Sequence, residues 1–255
     1  MLTLGAFGRA VRCIPDEKSG DAASMPNATC NRKKMNKNIL IKSINILGKA
    51  EKLVADHQSV TTAFRKEPII TENIFLTMTG FEGDMVHDKK HHGGNDKAIC
   101  CYSADRFNYW KKELSFDFEP SAFGENLTLS GENSLEENIF IGDRYQLGEA
   151  VVEVSEPRGP CYIIGIRYNY KPFAKLCQNT GYTGFYLRTI KEGVVKPNDQ
   201  MIHLSSHPEK ISVMHVNQIR YHDSKNKIEL QRLANLQELT EEWRDKFAVL
   251  LRKVS

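Results

Sequence analysis

Ala150-Val151-Val152-Glu153-Val154-Ser155-Glu156-Pro157-Arg158-Gly159-Pro160-Cys161-Tyr162 is the stretch from which the rest of the chain is best read. Its first five residues are an apolar run of strand formers, the pattern of a buried strand. Pro157 and Pro160 then restrict the backbone on either side of Arg158 and Gly159. The strand therefore ends in a stiff turn that presents one cation and one thiol close together. An arginine near a cysteine favours the thiolate, the form that acts as nucleophile and metal ligand. Alone, the stretch is equally readable as a buried cysteine after a proline-rich turn.

Outward from that strand, Arg144–Leu147 and Ala150–Val154 straddle Gly148-Glu149, a hairpin signal. Further strands are predicted over Ile39–Leu47, Ile74–Met78, Ala98–Tyr102, Glu125–Leu129, Ile139–Ile141, Phe185–Ile190 and Met201–Leu204. Ser103 caps a helix that carries Phe107 and Trp110 at helical spacing. Pro172 opens another, carrying Phe173, Leu176 and Cys177, which stops at Gly181. Many short strands with regular turns favour an all-β barrel or sandwich with inserted helices.

Past Pro208 the glycines and prolines disappear. Helices are predicted over Val213–Ile219, around Leu230, Leu233 and Leu236, and from a Thr240 cap onward. Trp243, Phe247, Leu250, Leu251 and Val254 share one face of the last helix. These helices are too short to stand alone and must pack on the barrel or on each other. Three segments follow. Residues 1–34 form a disordered or non-native extension, 35–207 a β domain, and 208–255 a small helical unit.

The chain has 255 residues, 40% hydrophobic and 26% charged, which suits a globular protein with one large core. A formal charge of +3 gives no bulk electrostatic case for a nucleic-acid polymer or an acidic membrane. No apolar run approaches the roughly 20 residues of a membrane helix. Six cysteines without a C-x-x-C pair fit reduced thiols in the cytoplasm better than a secreted scaffold.

Other clusters carry possible chemistry. His87, His91 and His92 crowd one loop, but adjacent histidines diverge on an extended chain, against a zinc site. Gly93-Gly94 offers backbone amides to an anionic ligand. Thr62-Ala63-Phe64-Arg65-Lys66 is by itself a basic loop edge, and Glu125-Asn126 most simply orient a turn by hydrogen bonds. P-loop, dinucleotide, serine-elbow and H-E-x-x-H signatures are absent.

Taken in order, five stretches resemble one family. They are Gly80-Phe81-Glu82-Gly83-Asp84, His92-Gly93-Gly94-Asn95-Asp96-Lys97-Ala98, Phe123-Gly124-Glu125-Asn126-Leu127, Gly142-Asp143 and Pro157-Arg158-Gly159-Pro160-Cys161. The series is similar to the MOSC domain, the C-terminal domain of molybdenum cofactor sulfurases. The trailing helices and Gln178-Asn179-Thr180-Gly181 resemble its stand-alone YiiM-type branch. The resemblance spans about residues 36–255.

It implies a mainly β fold: a MOSC-type β-barrel with inserted helices and a small C-terminal three-helix unit. It further implies a pocket for the pyranopterin molybdenum cofactor, with Cys161 as metal ligand or persulfide carrier. Thr62, Lys66, Gly93, Gly94, Asn126, Arg158 and Arg188 would bind the cofactor. His92 and Asp96 would orient the Gly-Gly turn or handle a proton during N–O cleavage, with Cys161 as the third catalytic residue. Soft thiolate suits molybdenum, and arginine pairs with phosphate oxygens bidentately where lysine acts as a point charge. Asn95 stands where the family has proline, and Lys97 where it has arginine, differences that bear on substrate choice.

The activity so implied is reduction of N-hydroxylated substrates such as hydroxylaminopurine base analogues. A separate flavin or haem reductase would supply the electrons to a monomer or homodimer. The alternatives are a sulfur carrier, with a Cys161 persulfide feeding metal–sulfur or cofactor assembly, and a cofactor-storage protein without turnover. The chain has no room for the pyridoxal-phosphate domain of the fused sulfurases.

Overall fold

The computed structural model describes residues 37–46, 50–55, 58–70, 73–84 and 93–254. The predicted extension over 1–34 and the histidines His87, His91 and His92 lie outside the described residues.

The strands in chain order begin with β1 (Ile39–Ile46), β2 (Glu51–Ala55), β3 (Gln58–Thr62), β4 (Glu67–Pro68), β5 (Ile74–Thr77) and β6 (Gly80–Phe81). They continue with β7 (Ile99–Ser103), β8 (Leu127–Ser130), β9 (Arg144–Leu147), β10 (Ala150–Pro157), β11 (Phe185–Lys191), β12 (Gly193–Val195) and β13 (Gln200–Ser205). Helices α1 (Phe107–Leu114), α2 (Ile163–Arg167) and α3 (Phe173–Thr180) are inserted between strands. Helices α4 (Val213–Tyr221), α5 (Lys227–Asn235) and α6 (Glu241–Val254) close the chain.

The main sheet runs β13-β9-β10-β11-β7-β8-β1-β4, and β13 also pairs with β1. That pairing, Ile39 opposite Met201 and Leu40 opposite Gln200, closes seven strands into a barrel. Closure resolves the choice between barrel and sandwich, and leaves those strands no free edge. All its ladders are antiparallel except β7–β8, where Cys101, Tyr102 and Ser103 run beside Leu127, Thr128 and Leu129. The connection between these two strands carries α1, as a parallel pairing demands.

Two apolar clusters form the core. The first fills the barrel with residues such as Ile39, Leu127, Val152, Val154, Leu187 and Met201. It is continuous with Leu230, Leu233, Leu236, Leu239, Trp243 and Phe247, so the helical unit packs on the barrel as its amphipathic pattern requires. β10 is buried along almost its whole length, in keeping with an apolar run rather than an alternating one. The second cluster lies under the inserted helices and is aromatic, built on Tyr102, Trp110, Phe123 and Phe173. Trp110 Nε1 donates to Tyr102 Oη at 2.6 Å, which satisfies the polar edge of a buried indole.

The structure departs from the sequence reading in three places. Ile139–Ile141 is not a strand: Phe140 makes an isolated bridge to Ser212, and Gly142, at φ 81°, turns the chain. The β2–β3 hairpin went unpredicted, because Glu51-Lys52-Leu53 and Gln58-Ser59 lack an apolar alternation. Helix α2, directly after Cys161, is a single short turn that gives little periodicity to read.

Candidate functional site

Where the chain leaves β10, Arg158 turns inward and is buried, while Cys161 is only half-buried. Both line a cavity of about 720 Å³. Thr62, Lys66, Gly93, Gly94 and Asn126 line the same cavity, so the structure brings together seven of the residues singled out above. They arrive from the end of β3, the loop after it, the segment before β7, the turn before β8 and the turn after β10. Apart from the first two, these segments are far apart in sequence, and the barrel collects them.

The turn Ser121–Asn126 is held from inside. Glu125 is fully buried and accepts from Ser121 N at 2.7 Å, Phe123 N at 2.9 Å and Thr128 Oγ1 at 2.6 Å. Burial pushes its carboxyl above the usual range, against the lowering effect of these donors. Glu125 is thus a turn organiser, as the sequence suggests. Gly124, at φ 73°, lets the chain pass under Phe64, where an added Cβ would come 3.1 Å from the ring.

Asn126 Nδ2 leaves this turn to donate to Asp84 Oδ2 at 2.7 Å. Lys66 Nζ meets the same carboxylate at 2.6 Å and 2.5 Å. Arg158 donates from Nη2 to the carbonyl oxygen of Phe123 at 2.9 Å. Its buried Nη1 has no hydrogen-bond partner. A buried guanidinium donor left open on a cavity wall is a docking point for an acceptor.

Two of the predicted residues do not join the lining. The turn Asn95–Lys97 directs Asp96 onto Arg188, with 2.8 Å between carboxylate and Nε. Arg188 also pairs with Glu153 at 3.0 Å, so two carboxylates compensate its charge and it braces β10 against β11. His92 lies outside the described residues.

Sequence reading missed several residues of the wall. Asp84 stood within a quoted stretch but was given no role, and it lines the cavity. Cys100 and Tyr186 sit opposite each other on β7 and β11 and both face the cavity. Alternation along Ala98–Tyr102 sends Cys100 to the cavity and Cys101 to the barrel core, a signal present in the sequence. Burial pushes the Cys100 thiol up to about 11, partly offset by Arg158. Lys97 also lines the cavity; Glu156 at 3.6 Å and Glu242 of α6 at 2.6 Å hold its ammonium.

The MOSC domain profile matches residues 88–202, and that of the YiiM-like, 3-alpha helix domain matches residues 211–253. YflK of Bacillus subtilis (strain 168) is 41% identical over 201 residues, 79% of this chain and 90% of its own length. The chain belongs to the MOSC family, in its YiiM-like branch. YiiM of Escherichia coli (strain K12) is 35% identical over 67% of this chain and 76% of its own. The crystal structure of YiiM from Geobacillus stearothermophilus superposes with a TM-score of 0.69 at 30% identity, covering 84% of this chain and 99% of that one. A protein named Reductase from Gibberella moniliformis is 34% identical over 150 residues, 26% of its length.

The MOSC profile covers most of the barrel strands and the cavity segments from Gly93 to Cys161, and the helical profile covers α4 to α6. Among the described residues no helix is long and apolar enough to cross a membrane.

Proposed function

We propose that this MOSC protein binds the pyranopterin molybdenum cofactor in the cavity beside Cys161 and reduces N-hydroxylated compounds with electrons from a separate reductase. One observation carries the reading: a thiol, a buried arginine with an open donor, a lysine and a pair of glycines converge on one cavity of about 720 Å³. That volume is in the range of sites for drug-sized ligands and cofactors.

The donor set suits such a group. Arg158 Nη1 offers a hydrogen bond from a dry wall, Gly93 and Gly94 allow close backbone approach, and Cys161 offers a soft ligand. Among the described residues no three His, Cys, Asp or Glu side chains cluster around a metal position. Bound, the cofactor would supply a metal able to pass two electrons. Reduction of R–NHOH to R–NH2 and water consumes two electrons and two protons, which an external donor must provide. The relative named Reductase, and the family's tie to this cofactor, support the oxidoreductase reading.

Molybdenum-replete expression followed by metal analysis and cofactor extraction tests it. We expect bound molybdenum, lost in Cys161→Ser together with protection of cells against hydroxylaminopurine. Metal-free protein whose Cys161→Ser variant still protects would overturn the reading. Cyanide-releasable sulfur on Cys161 would assign the chain to sulfur transfer instead.

A further inference from the structure

The donors of Lys66 and Asn126 converge on a single oxygen. Lys66 Nζ lies 2.5 Å and Asn126 Nδ2 2.7 Å from Oδ2 of Asp84. Oδ1 takes a second contact from Lys66 at 2.6 Å. Two donors meeting on one anionic oxygen is the arrangement that holds an oxyanion. All three residues line the cavity, and both donor side chains are buried.

The donors have their own supports. Asn126 Oδ1 accepts from Cys100 N at 3.1 Å, and Nδ2 also reaches Asn45 O at 3.2 Å. The main chain of Lys66 is fixed by Ser121 Oγ at 2.9 Å. Asp84 sits at the end of the turn after β6, its N–H bonded to Phe81 O at 3.1 Å. A lysine–carboxylate pair taken out of water largely cancels its own field. An incoming anion therefore gains little from Lys66 while Asp84 remains on it.

We propose that Asp84 is a resident stand-in for an anionic ligand: its carboxylate occupies an oxyanion position between Lys66 and Asn126, and a phosphate-type group binds there by replacing it. The ligand class is a phosphate monoester or another tetrahedral oxyanion. Asp84 thereby sets how much negative charge the cavity admits. Only the identity of the ligand rests on the cofactor reading above; the oxyanion position follows from the three side chains.

The test is thermal unfolding of the full chain against inorganic phosphate, with sodium chloride of matched ionic strength as control. A ligand that binds only the folded state raises stability by mass action, so the shifts give affinities. Asp84→Asn should be less stable than wild type without phosphate, because a buried ammonium loses its partner. It should bind phosphate about ten-fold more tightly, since a like charge has left contact distance. Adding Lys66→Met to Asp84→Asn should abolish that gain. Equal or weaker phosphate binding in Asp84→Asn overturns the proposal and makes Asp84 a support only. If Asp84→Asn does not fold, Asp84→Glu keeps the charge: weaker or unmeasurable phosphate binding upholds the proposal, and tighter binding overturns it. Because phosphate alone is the probe, failure here leaves the molybdenum experiment to decide the reductase reading independently.

Discussion

Arg158 donates to the carbonyl oxygen of Phe123 at 2.9 Å, so one buried guanidinium joins the turn after β10 to the turn before β8. The Phe123 ring stacks on Tyr102 with 3.7 Å between centroids and 7° between planes, which anchors that carbonyl to the aromatic cluster. Burial alone would depress the Arg158 pKa, yet the surrounding Cys100, Tyr186 and Cys161 raise it above the ordinary value.

Arg158→Lys keeps a cation but loses the planar fork, so a single ammonium must serve both Phe123 O and a ligand. Molybdenum retention should fall about ten-fold, the loss of one charge-assisted hydrogen bond. Metal analysis of both proteins after molybdenum-replete expression checks this, with melting temperatures as the control for folding.

Thiol reactivity should separate the cysteines. Cys161 is half-buried at the cavity, whereas Cys100, though it also lines the cavity, is buried, as are Cys101 and Cys177. Brief iodoacetamide treatment at mildly alkaline pH should modify Cys161 and leave those three intact until denaturant is added. Peptide mass mapping reads the outcome.

Burial holds the Cys100 thiol up at about 11, whereas an unfolded thiol titrates near its ordinary value of 9. The neutral thiol is thus a stability contribution present in full below pH 9 and lost as pH rises through 11. Between those limits wild type should lose about 2 kcal/mol more than Cys100→Ala. Urea unfolding of both proteins across that window measures the difference.

Among the described residues Glu125 accepts three hydrogen bonds without a paired cation, so Glu125→Ala strands the buried Phe123 N–H and leaves Ser121 N only its longer contact to Thr128 Oγ1 at 3.3 Å. The expected cost is about 3 kcal/mol, with Glu125→Gln recovering part of it because one carbonyl oxygen remains. Urea midpoints rank the three proteins.

Thr240 does two jobs for the last helix. Its Oγ1 accepts from Trp243 N at 3.4 Å and donates to the buried Glu156 at 2.6 Å. Thr240→Val should cost about 1–2 kcal/mol through the lost cap. It should also loosen Lys97, which shares Glu156 and lines the cavity. Thr240→Ser, which restores the hydroxyl, should recover the melting temperature.

Much of the architecture was readable from local patterns. The apolar run of β10, the Gly148 turn, the Ser103 and Thr240 caps and the Gly181 stop each reflect short-range chemistry that any context preserves. The β2–β3 hairpin left no such trace, since Glu51–Ala55 and Gln58–Thr62 carry no apolar alternation. Thr62, Lys66 and Asn126 could be given a binding role only through the family's ordered motifs. Each alone looks like a turn or loop residue.

The sequence by itself determined the mainly β character, the helical C-terminus and the pairing of Arg158 with Cys161 in one stiff turn. Tertiary structure alone decided which charges serve the cavity. Arg188 and Asp96 were as plausible as Arg158 in one dimension, yet strand register sets Arg188 opposite Glu153, and the turn before β7 brings Asp96 to meet it. Asp84, in the turn after β6, reaches Lys66, in the loop after β3, for the same reason. Charge compensation depends on distances of a few ångströms in space, and separation along a chain does not encode those.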